Sequence, residues 1–298
     1  MKPFDSMKLQ TPVTDAQCKV GISYKDRITM LGSCFSDNVG QLLSNYGFDV
    51  CVNPFGTLYN PVSILNGIER LICKTPFTEE DCIRIGAGDE RFCSFSHHTS
   101  FARATKEEFI ENANRKLQEA AEYFAESTKV IITLGTSWCF RNIASGNIVS
   151  NCLKRPAAEF VRERLSVTET VSCLQRMMDL CASAVSEDFK AKEFIFTVSP
   201  IRHFKDGAHG NQISKAGLLL GIEEILKNDN TDYFPSYEIM MDQLRDYRFY
   251  AEDMYHPTAQ AVGYIGERFL EWSLSEKDAI LLKENISRYK RSRHIITV

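Results

Sequence analysis

Short, continuously apolar runs that alternate with longer helical patterns constrain the fold of this chain most. The runs at 27–32, 129–135 and 193–200 have no polar face, which indicates strands that are buried on both sides. Helical periodicity follows each run, and this alternation is typical of a parallel sheet covered by helices on both faces. We therefore expect an α/β protein with a mainly parallel central sheet. The simplest organisation is a single domain over residues 1–298, with a less regular inserted region at about 75–104.

Composition and charge exclude several classes of function. The net charge of -4 gives no general attraction to nucleic acid or to an anionic membrane surface. No apolar run approaches the roughly 20 residues that span a bilayer, and the N-terminus lacks the apolar stretch of a secretory signal. The basic segment at 287–294 is expected to be a solvated tail. The sequence carries no signal for an oligomeric state.

Cysteine usage predicts a cytoplasmic protein without a metal site. The ten cysteines are scattered, with no paired spacing and no histidine partners at zinc-ligand distances, so they are expected to be reduced thiols. His97 and His98 follow a short strand and suggest a metal at first sight, but no carboxylate or third histidine stands at metal spacing. No GxGxxG follows the first strand, which argues against a dinucleotide, and no cofactor is expected.

Polar segments follow the predicted strands, where ligands of an open α/β sheet bind. The segments are "GSCF" from residue 32, "NPFGT" from 53, "LGTSW" from 134, "SPIRH" from 199 and "AEDMYHPTA" from 251. Loops are polar in general, so one such segment would mean little. Five that converge at one edge of a sheet predict a functional site there.

Two of these segments contain the parts of a nucleophilic site. A serine hydroxyl needs a base within hydrogen-bond reach, and that base needs a third group to orient it. Ser33 stands at the first strand end, and Asp253 and His256 stand within one turn of each other. The alternative is that Asp253 caps the following helix and His256 is an ordinary surface histidine.

Cys34 is the competing nucleophile. A thiolate at a helix N-terminus has a lowered pKa and is intrinsically more reactive than a serine hydroxyl. Adjacent side chains of a tight strand–helix turn point apart, so only one of Ser33 and Cys34 can face His256. We expect Ser33 to face the base and Cys34 to pack beneath the turn.

Five segments together resemble the GSCFA family. They are "GSCFS" (32–36), "NPFGTLYNP" (53–61), "TLGTSW" (133–138), "VSPIRH" (198–203) and "DYRFYAEDMYHP" (246–257). They extend over about residues 27 to 270, nearly the whole chain. GSCFA proteins are in turn similar to the SGNH/GDSL hydrolases, so the resemblance implies a flavodoxin-like three-layer α/β/α sandwich. In those enzymes a serine follows the first strand and a late Asp-x-x-His supplies the other two members of a triad.

The resemblance also implies a role for each site residue. Ser33 becomes the nucleophile, His256 the base and Asp253 the carboxylate that orients it. The oxyanion hole would use backbone N–H groups of Ser33 and Gly56, together with an asparagine side chain that is replaced here by Ser137. Ser137, Thr136 or Asn53 would supply the missing donor. The expected substrate-binding residues are Asn53, Gly135, Thr136, Arg202 and His203.

These roles predict a serine esterase that works through an acyl-serine intermediate. A small-molecule or carbohydrate ester is the expected substrate class, by resemblance to the wider superfamily. Two alternatives stay open. An O-acyltransferase would pass the same acyl group to an alcohol instead of water, and a binding protein would keep the pocket without the catalysis.

Overall fold

The structure is a computed structural model that describes residues 10–14 and 18–295. Its strands are β1 (Arg27–Gly32), β2 (Asp49–Val52), β3 (Ile83–Arg84), β4 (Phe92–Cys93), β5 (Lys129–Leu134), β6 (Trp138–Asn142), β7 (Ile148–Val149), β8 (Phe160–Arg164), β9 (Glu193–Val198) and β10 (Thr231–Phe234). Its α-helices are α1 (Cys34–Asn45), α2 (Pro61–Cys73), α3 (Lys106–Glu126), α4 (Val167–Ser183), α5 (Gly207–Ile225), α6 (Ser236–Glu238), α7 (Ala259–Ser273) and α8 (Glu276–Ile295). Short 3-10 segments lie at Glu79–Asp81, Thr99–Phe101, Ala157–Glu159, Phe204–Asp206 and Tyr247–Phe249, and a π-helical turn at Ile239–Gln243.

The central sheet has five parallel strands in the order β10-β9-β5-β1-β2. The register pairs Gly32 with Thr133 and Leu134 with Val198, so β1, β5 and β9 end at the same edge. This arrangement confirms the predicted parallel sheet with an internal first strand. The carboxyl ends of its strands, and the polar segments that follow them, lie side by side.

Helices cover both faces of this sheet because successive residues of each strand point to opposite sides. On one face Met30 and Ile131 pack with apolar side chains of α1 and α7. On the other face Leu31 and Ile132 pack with α2, α3, α4 and α5. The two apolar cores confirm the expected α/β/α sandwich of flavodoxin-like type.

Two small antiparallel sheets lie outside this sandwich. β3 pairs with β4 inside the region that is expected to be irregular, and β7, β6 and β8 form a three-stranded sheet. The Ser145–Gly146 pair between two short apolar stretches predicts a hairpin, and β6 and β7 confirm it. β8 is not predicted, because its residues are only partly buried and show no clear alternation.

Helix boundaries near the C-terminus differ from expectation. Hydrophobic periodicity predicts a helix from 212 and a short helix after 273; α5 instead begins at Gly207, and the segment after 273 forms the long α8. The basic segment at 287–294 lies on this last helix. None of the helices within residues 10–14 and 18–295 is long and apolar enough to cross a membrane. All ten cysteines are free, as predicted for reduced thiols.

Candidate active site

The β1–α1 turn holds Ser33 in a buried capping position. Gly32 is needed before it, because a Cβ there would lie 2.3 Å from the carbonyl oxygen of Thr133. Ser33 is the N-cap of α1: its Oγ accepts a hydrogen bond from Phe35 N at 3.3 Å, and its own N–H donates to Thr133 O at 3.2 Å. Its side chain is fully buried. Both polar groups of Ser33 are thus engaged in closing the turn.

Cys34, the first residue of α1, is partly exposed. Burial raises the pKa of its thiol, and the nearby Asp37 carboxylate raises it further. The N–H groups of Cys34 and Phe35 and the charge of Lys215 act in the opposite direction. Of the two adjacent side chains, Ser33 is fully buried and Cys34 is the one that solvent reaches.

Asp253 and His256 form a hydrogen-bonded pair in the loop before α7. His256 Nδ1 lies 2.5 Å from Asp253 Oδ2, while Asp253 Oδ1 accepts from the N–H groups of Tyr255 and His256 at 2.9 and 3.0 Å. The His256 and Tyr255 N–H groups, followed by the imidazole, lower the pKa of Asp253 to about 2. The carboxylate therefore stays ionised and holds the ring through Nδ1, which leaves Nε2 for a reacting group.

No hydrogen bond joins His256 to Ser33 in the part of the chain that the structure describes. The two segments nevertheless lie at the same edge of the sheet, because Arg202, which follows β9, donates from its N–H to Tyr255 O at 3.4 Å and from Nη2 to Met254 O at 3.2 Å. His203, which follows β9, also lies close enough to His256 for their charges to interact. The expected hydrogen bond between the base and Ser33 Oγ is absent, and that oxygen instead accepts from Phe35 N.

The predicted oxyanion hole is not assembled. Ser33 N–H donates to a carbonyl of β5, and Gly56 N–H donates to Asn53 O at 2.7 Å. Ser137 is fully buried; its N–H and its Oγ both donate to Ser214 Oγ, at 2.8 and 3.2 Å. These N–H and hydroxyl donors are therefore bonded to β5, to the loop after β2 and to α5, and none of them is free for a substrate oxygen.

Asn53 fastens the turn to the end of β2. Its backbone is left-handed, with φ 45°. Its Oδ1 accepts from Gly32 N at 2.8 Å, and its Nδ2 donates to Asp37 Oδ1 at 2.6 Å. The residue expected to bind substrate thus connects β1 with the first turn of α1.

Gly135 and Thr136 also hold a neighbouring segment in place. Their N–H groups donate to the carbonyl oxygen of Tyr59, at 2.8 and 3.0 Å. Trp138 follows this segment, its Nε1 is buried without a hydrogen-bond partner, and the Arg162 guanidinium lies 5.1 Å from its ring centre. This segment, which is expected to bind substrate, therefore holds the loop after β2 in place, and the Trp138 indole follows it in the chain.

Arg202 and His203 lie at the rim of the site, as the resemblance implies. Arg202 Nη2 donates to Met254 O at 3.2 Å, and its guanidinium lies 4.7 Å from the ring centre of Tyr250. Burial, then the charges of Lys215 and His256, lower the pKa of His203 to about 4. Its Nε2 has no hydrogen-bond partner in the described chain. His203 is therefore a neutral imidazole whose Nε2 is buried and unbonded.

Lys215 on α5 is a site residue that the sequence reasoning missed. It is 1% exposed, and its Nζ donates to Gly135 O at 2.7 Å and Ser199 O at 2.8 Å. No carboxylate pairs with it among the described residues, and burial lowers its pKa to about 7. A signal was available, because Lys215 shares the apolar face of α5 with Leu218 and Ile222 at helical spacing.

His97 and His98 do not form part of a metal site. His97 is fully buried against phenylalanine rings, its Nδ1 lies 2.7 Å from Ser94 Oγ, and burial lowers its pKa to about 3. His98 accepts from Ser100 N and caps a 3-10 turn. Within the described residues no three His, Cys, Asp or Glu side chains come close enough to hold a metal ion.

The structure also contains a cleft of about 760 Å³. It lies between α2 and the β6–β7 hairpin, and its charged lining residues are Glu69, Arg70, Glu80, Asp81 and Arg141. None of the predicted site residues lines it. The groups with reactive chemistry lie instead at the carboxyl edge of the sheet, in a shallower and more open setting.

The model of the GSCFA family matches residues 27–269. The match contains the β1–α1 turn, Lys215 and the Asp253–His256 pair. No curated protein matches the chain.

Proposed function

The chain belongs to the GSCFA family, and from this premise we propose that it hydrolyses carboxylic esters through a covalent acyl-enzyme intermediate. The Asp253–His256 pair carries the proposal. An ionised carboxylate that fixes Nδ1 of an imidazole leaves Nε2 as a base, and this is the arrangement that activates a weak nucleophile. It stands at the same edge of the sheet as the β1–α1 turn.

In this mechanism the turn supplies the nucleophile. The nucleophile attacks the ester carbonyl carbon and gives its proton to His256, which passes it to the departing alcohol. Water then attacks the acyl-enzyme, loses a proton to His256 and releases the acid, and the proton returns to the nucleophile. The likeness of GSCFA proteins to SGNH hydrolases assigns the nucleophile to Ser33, whose Oγ must first leave Phe35 N to reach the base.

The substrate that fits is a small acyl group on a small-molecule or carbohydrate alcohol. The site is open at the rim, with the pair itself about half exposed: the side chains of His256 and Asp253 are 51% and 43% accessible. The Arg202 guanidinium, which donates to Met254 O, offers polar contacts to hydroxyl groups beside it. An acceptor alcohol that replaced water in the second step would make the same site an acyltransferase.

One observation favours a second candidate function. The engaged N–H groups of Ser33 and Gly56 leave the predicted oxyanion hole without donors, and such donors typically contribute about 10²–10³ in rate. A protein that binds acylated ligands without turning them over would fit this arrangement. Turnover separates the two candidates directly.

The test uses a panel of 4-nitrophenyl esters from acetate to octanoate. We expect turnover by the wild-type protein, and we expect His256→Ala to lower kcat/KM by about 10²–10⁴, the usual contribution of a general base. His209→Ala, which removes an exposed histidine at the start of α5, is the control and should stay within twofold of wild type. Turnover that His256→Ala leaves unchanged would contradict the proposed mechanism, and the absence of turnover with any ester would favour the binding protein.

A further inference from the structure

The order of the strands in the central sheet places Lys215 near the β1–α1 turn. Its Nζ is anchored on Gly135 O and Ser199 O, the carbonyl groups that follow β5 and β9. β5 is the direct neighbour of β1, whose last residue leads into the turn. The ammonium and the Cys34 thiol consequently lie close enough for each to alter the other's ionisation.

The ammonium of Lys215 has one N–H donor without a hydrogen-bond acceptor among the described residues. It carries three N–H donors, and in the described chain two of them have acceptors, both of them neutral carbonyl oxygens. A fully buried cation without a carboxylate partner is costly for a fold to keep. A neighbouring group that becomes negatively charged during a reaction would form an ion pair with the Lys215 ammonium.

Cys34 fits that group better than Ser33. The N–H groups of Cys34 and Phe35 lie at the positive end of α1 and favour the charged thiolate. Ser33 is fully buried, and its Oγ and N–H are both bonded. Of the two adjacent side chains, only the thiol combines access for a substrate with a cation and helix N–H groups around it.

We propose that Cys34 Sγ is the nucleophilic atom of this site and that the Lys215 ammonium stabilises its thiolate. The inference rests on the proposed function and replaces an acyl-serine with a thioester. Sγ forms a bond to the acyl carbon as the carbon–oxygen bond of the ester breaks. The thiol proton goes through His256 to the departing alkoxide. In the second half, water replaces Sγ on the acyl carbon and its proton returns through His256 to the thiolate.

The same two residues supply the missing oxyanion donors. The N–H of Cys34 is at the first position of α1, where no intrahelical acceptor exists. Lys215 has a third N–H donor beyond the two that bond to Gly135 O and Ser199 O. Together they can bind the carbonyl oxygen as it becomes negative, the task for which Gly56 and Ser137 are not free.

The charged and titratable groups around the thiol make the inference testable without a substrate. Asp37 on α1 opposes the thiolate, Lys215 on α5 favours it, and Tyr59 from the loop after β2 is near both Cys34 and Asp37. His203 stands beside Lys215 as a neutral ring. Removing Lys215 or Asp37 should therefore shift the reactivity of Cys34 in opposite directions.

The first measurement is the alkylation rate of each cysteine by iodoacetamide from pH 6 to pH 10, followed by peptide mass spectrometry. Lys215→Gln, which keeps a hydrogen-bond donor without the charge, should slow alkylation of Cys34 at pH 6.5 by about tenfold, equivalent to one pKa unit, because Lys215 is charged below its pKa of about 7. Asp37→Asn should accelerate it. The exposed Cys73 should react at the same rate in all variants.

Lys192→Gln is the matched control. Lys192 is also buried and its Nζ also donates to two carbonyl oxygens, but it stands before β9, at the opposite edge of the sheet. It should leave Cys34 alkylation within twofold of wild type. An equal effect of Lys192→Gln and Lys215→Gln, or no effect of Lys215→Gln, would overturn the pairing.

The second measurement uses the unaltered protein, so it does not depend on whether a variant folds. After a short incubation with 4-nitrophenyl acetate, the acetyl group should be found on Cys34 as a thioester that hydroxylamine removes. An acetyl group on Ser33 would overturn the inference and leave the esterase standing. Absence of both adducts and of turnover would remove the esterase, and the alkylation profile would still decide whether Lys215 and Cys34 interact.

Discussion

At the scale of single residues, backbone conformation limits substitution at the candidate site as strongly as chemistry does. Gly56 has φ 79°, and a Cβ there would lie 2.3 Å from the Cβ of His98. Asn53 has φ 45° and fastens β1 to α1 through its side chain. These residues hold the loop after β2 against the β1–α1 turn. The Gly56 N–H is bonded within that loop and is not free to bind a substrate oxygen.

Gly56→Ala should destabilise the protein by about 2–4 kcal/mol, since the left-handed backbone costs about 1–2 kcal/mol and the clash with His98 adds to it. Gly146→Ala is the matched control, because Gly146 has φ 70° and nothing within 4 Å of the added Cβ. Gly146→Ala should lower the free energy of unfolding only by the about 1–2 kcal/mol of the left-handed backbone. Urea denaturation gives both free energies of unfolding, and equal costs for the two variants would show that the contact with His98 is unimportant.

At the scale of elements, the helix starts were predictable where a side chain marks them. The capping boxes Thr105–Glu108 and Ser166–Glu169 are present at the starts of α3 and α4, as the sequence predicts. α5 has no capping side chain and begins at Gly207, so nothing local marked its start. The sequence likewise missed β8, whose stability comes from pairing with β6 rather than from its own pattern.

Thr105→Ala should destabilise the protein by about 0.5–2 kcal/mol, the usual cost of losing an N-cap. The hydroxyl of Thr105 accepts from Glu108 N at 3.2 Å, and the Glu108 carboxylate accepts from Thr105 N at 3.4 Å. Thr105→Ser keeps the acceptor and should stay within about 0.5 kcal/mol of wild type. Urea denaturation followed by circular dichroism at 222 nm measures both; a serine variant as unstable as the alanine variant would refute the role of the hydroxyl.

At the scale of the whole molecule, topology brings together segments that are far apart in sequence. The rule that ligands bind at the carboxyl ends of parallel strands was enough to place the turn at Ser33 and Cys34 and the loop of Asp253 and His256 at one edge. It could not determine side-chain rotamers, which decide that Ser33 is the buried residue of the turn. It also could not find Lys215, whose acceptors belong to two other strand ends.

The buried thiols should make the protein unstable at alkaline pH. Burial is the first cause that raises the pKa of five cysteines to about 11 or 12: Cys18, Cys51, Cys93, Cys139 and Cys181. Between pH 9 and 11 the unfolded chain has lost protons that the folded chain keeps, so the free energy of unfolding falls as pH rises. Each thiol contributes up to about 1.4 kcal/mol per pH unit.

Two buried lysines act in the opposite direction. Burial lowers the pKa of Lys215 to about 7 and of Lys192 to about 8, so up to pH 10.5 the unfolded chain holds protons that the folded chain lacks. The five thiols outnumber them, and stability should fall from pH 9 to pH 10 in urea titrations. Cys51→Ala with Cys139→Ala should make the fall shallower, and a stability that is flat across this range would contradict the assignment.

The position of Trp138 has an optical consequence. The chain contains two tryptophans: Trp138 directly follows the Gly135–Ser137 segment beneath the candidate site, and Trp272 is on α7. A protein with Trp272→Phe would emit from one indole only, next to the Arg162 guanidinium and with an unbonded Nε1. Its emission maximum and its quenching by acrylamide would report the binding of a ligand at this edge without an added label. The signal would be the same kind of readout whether the protein is an esterase or only binds its ligand.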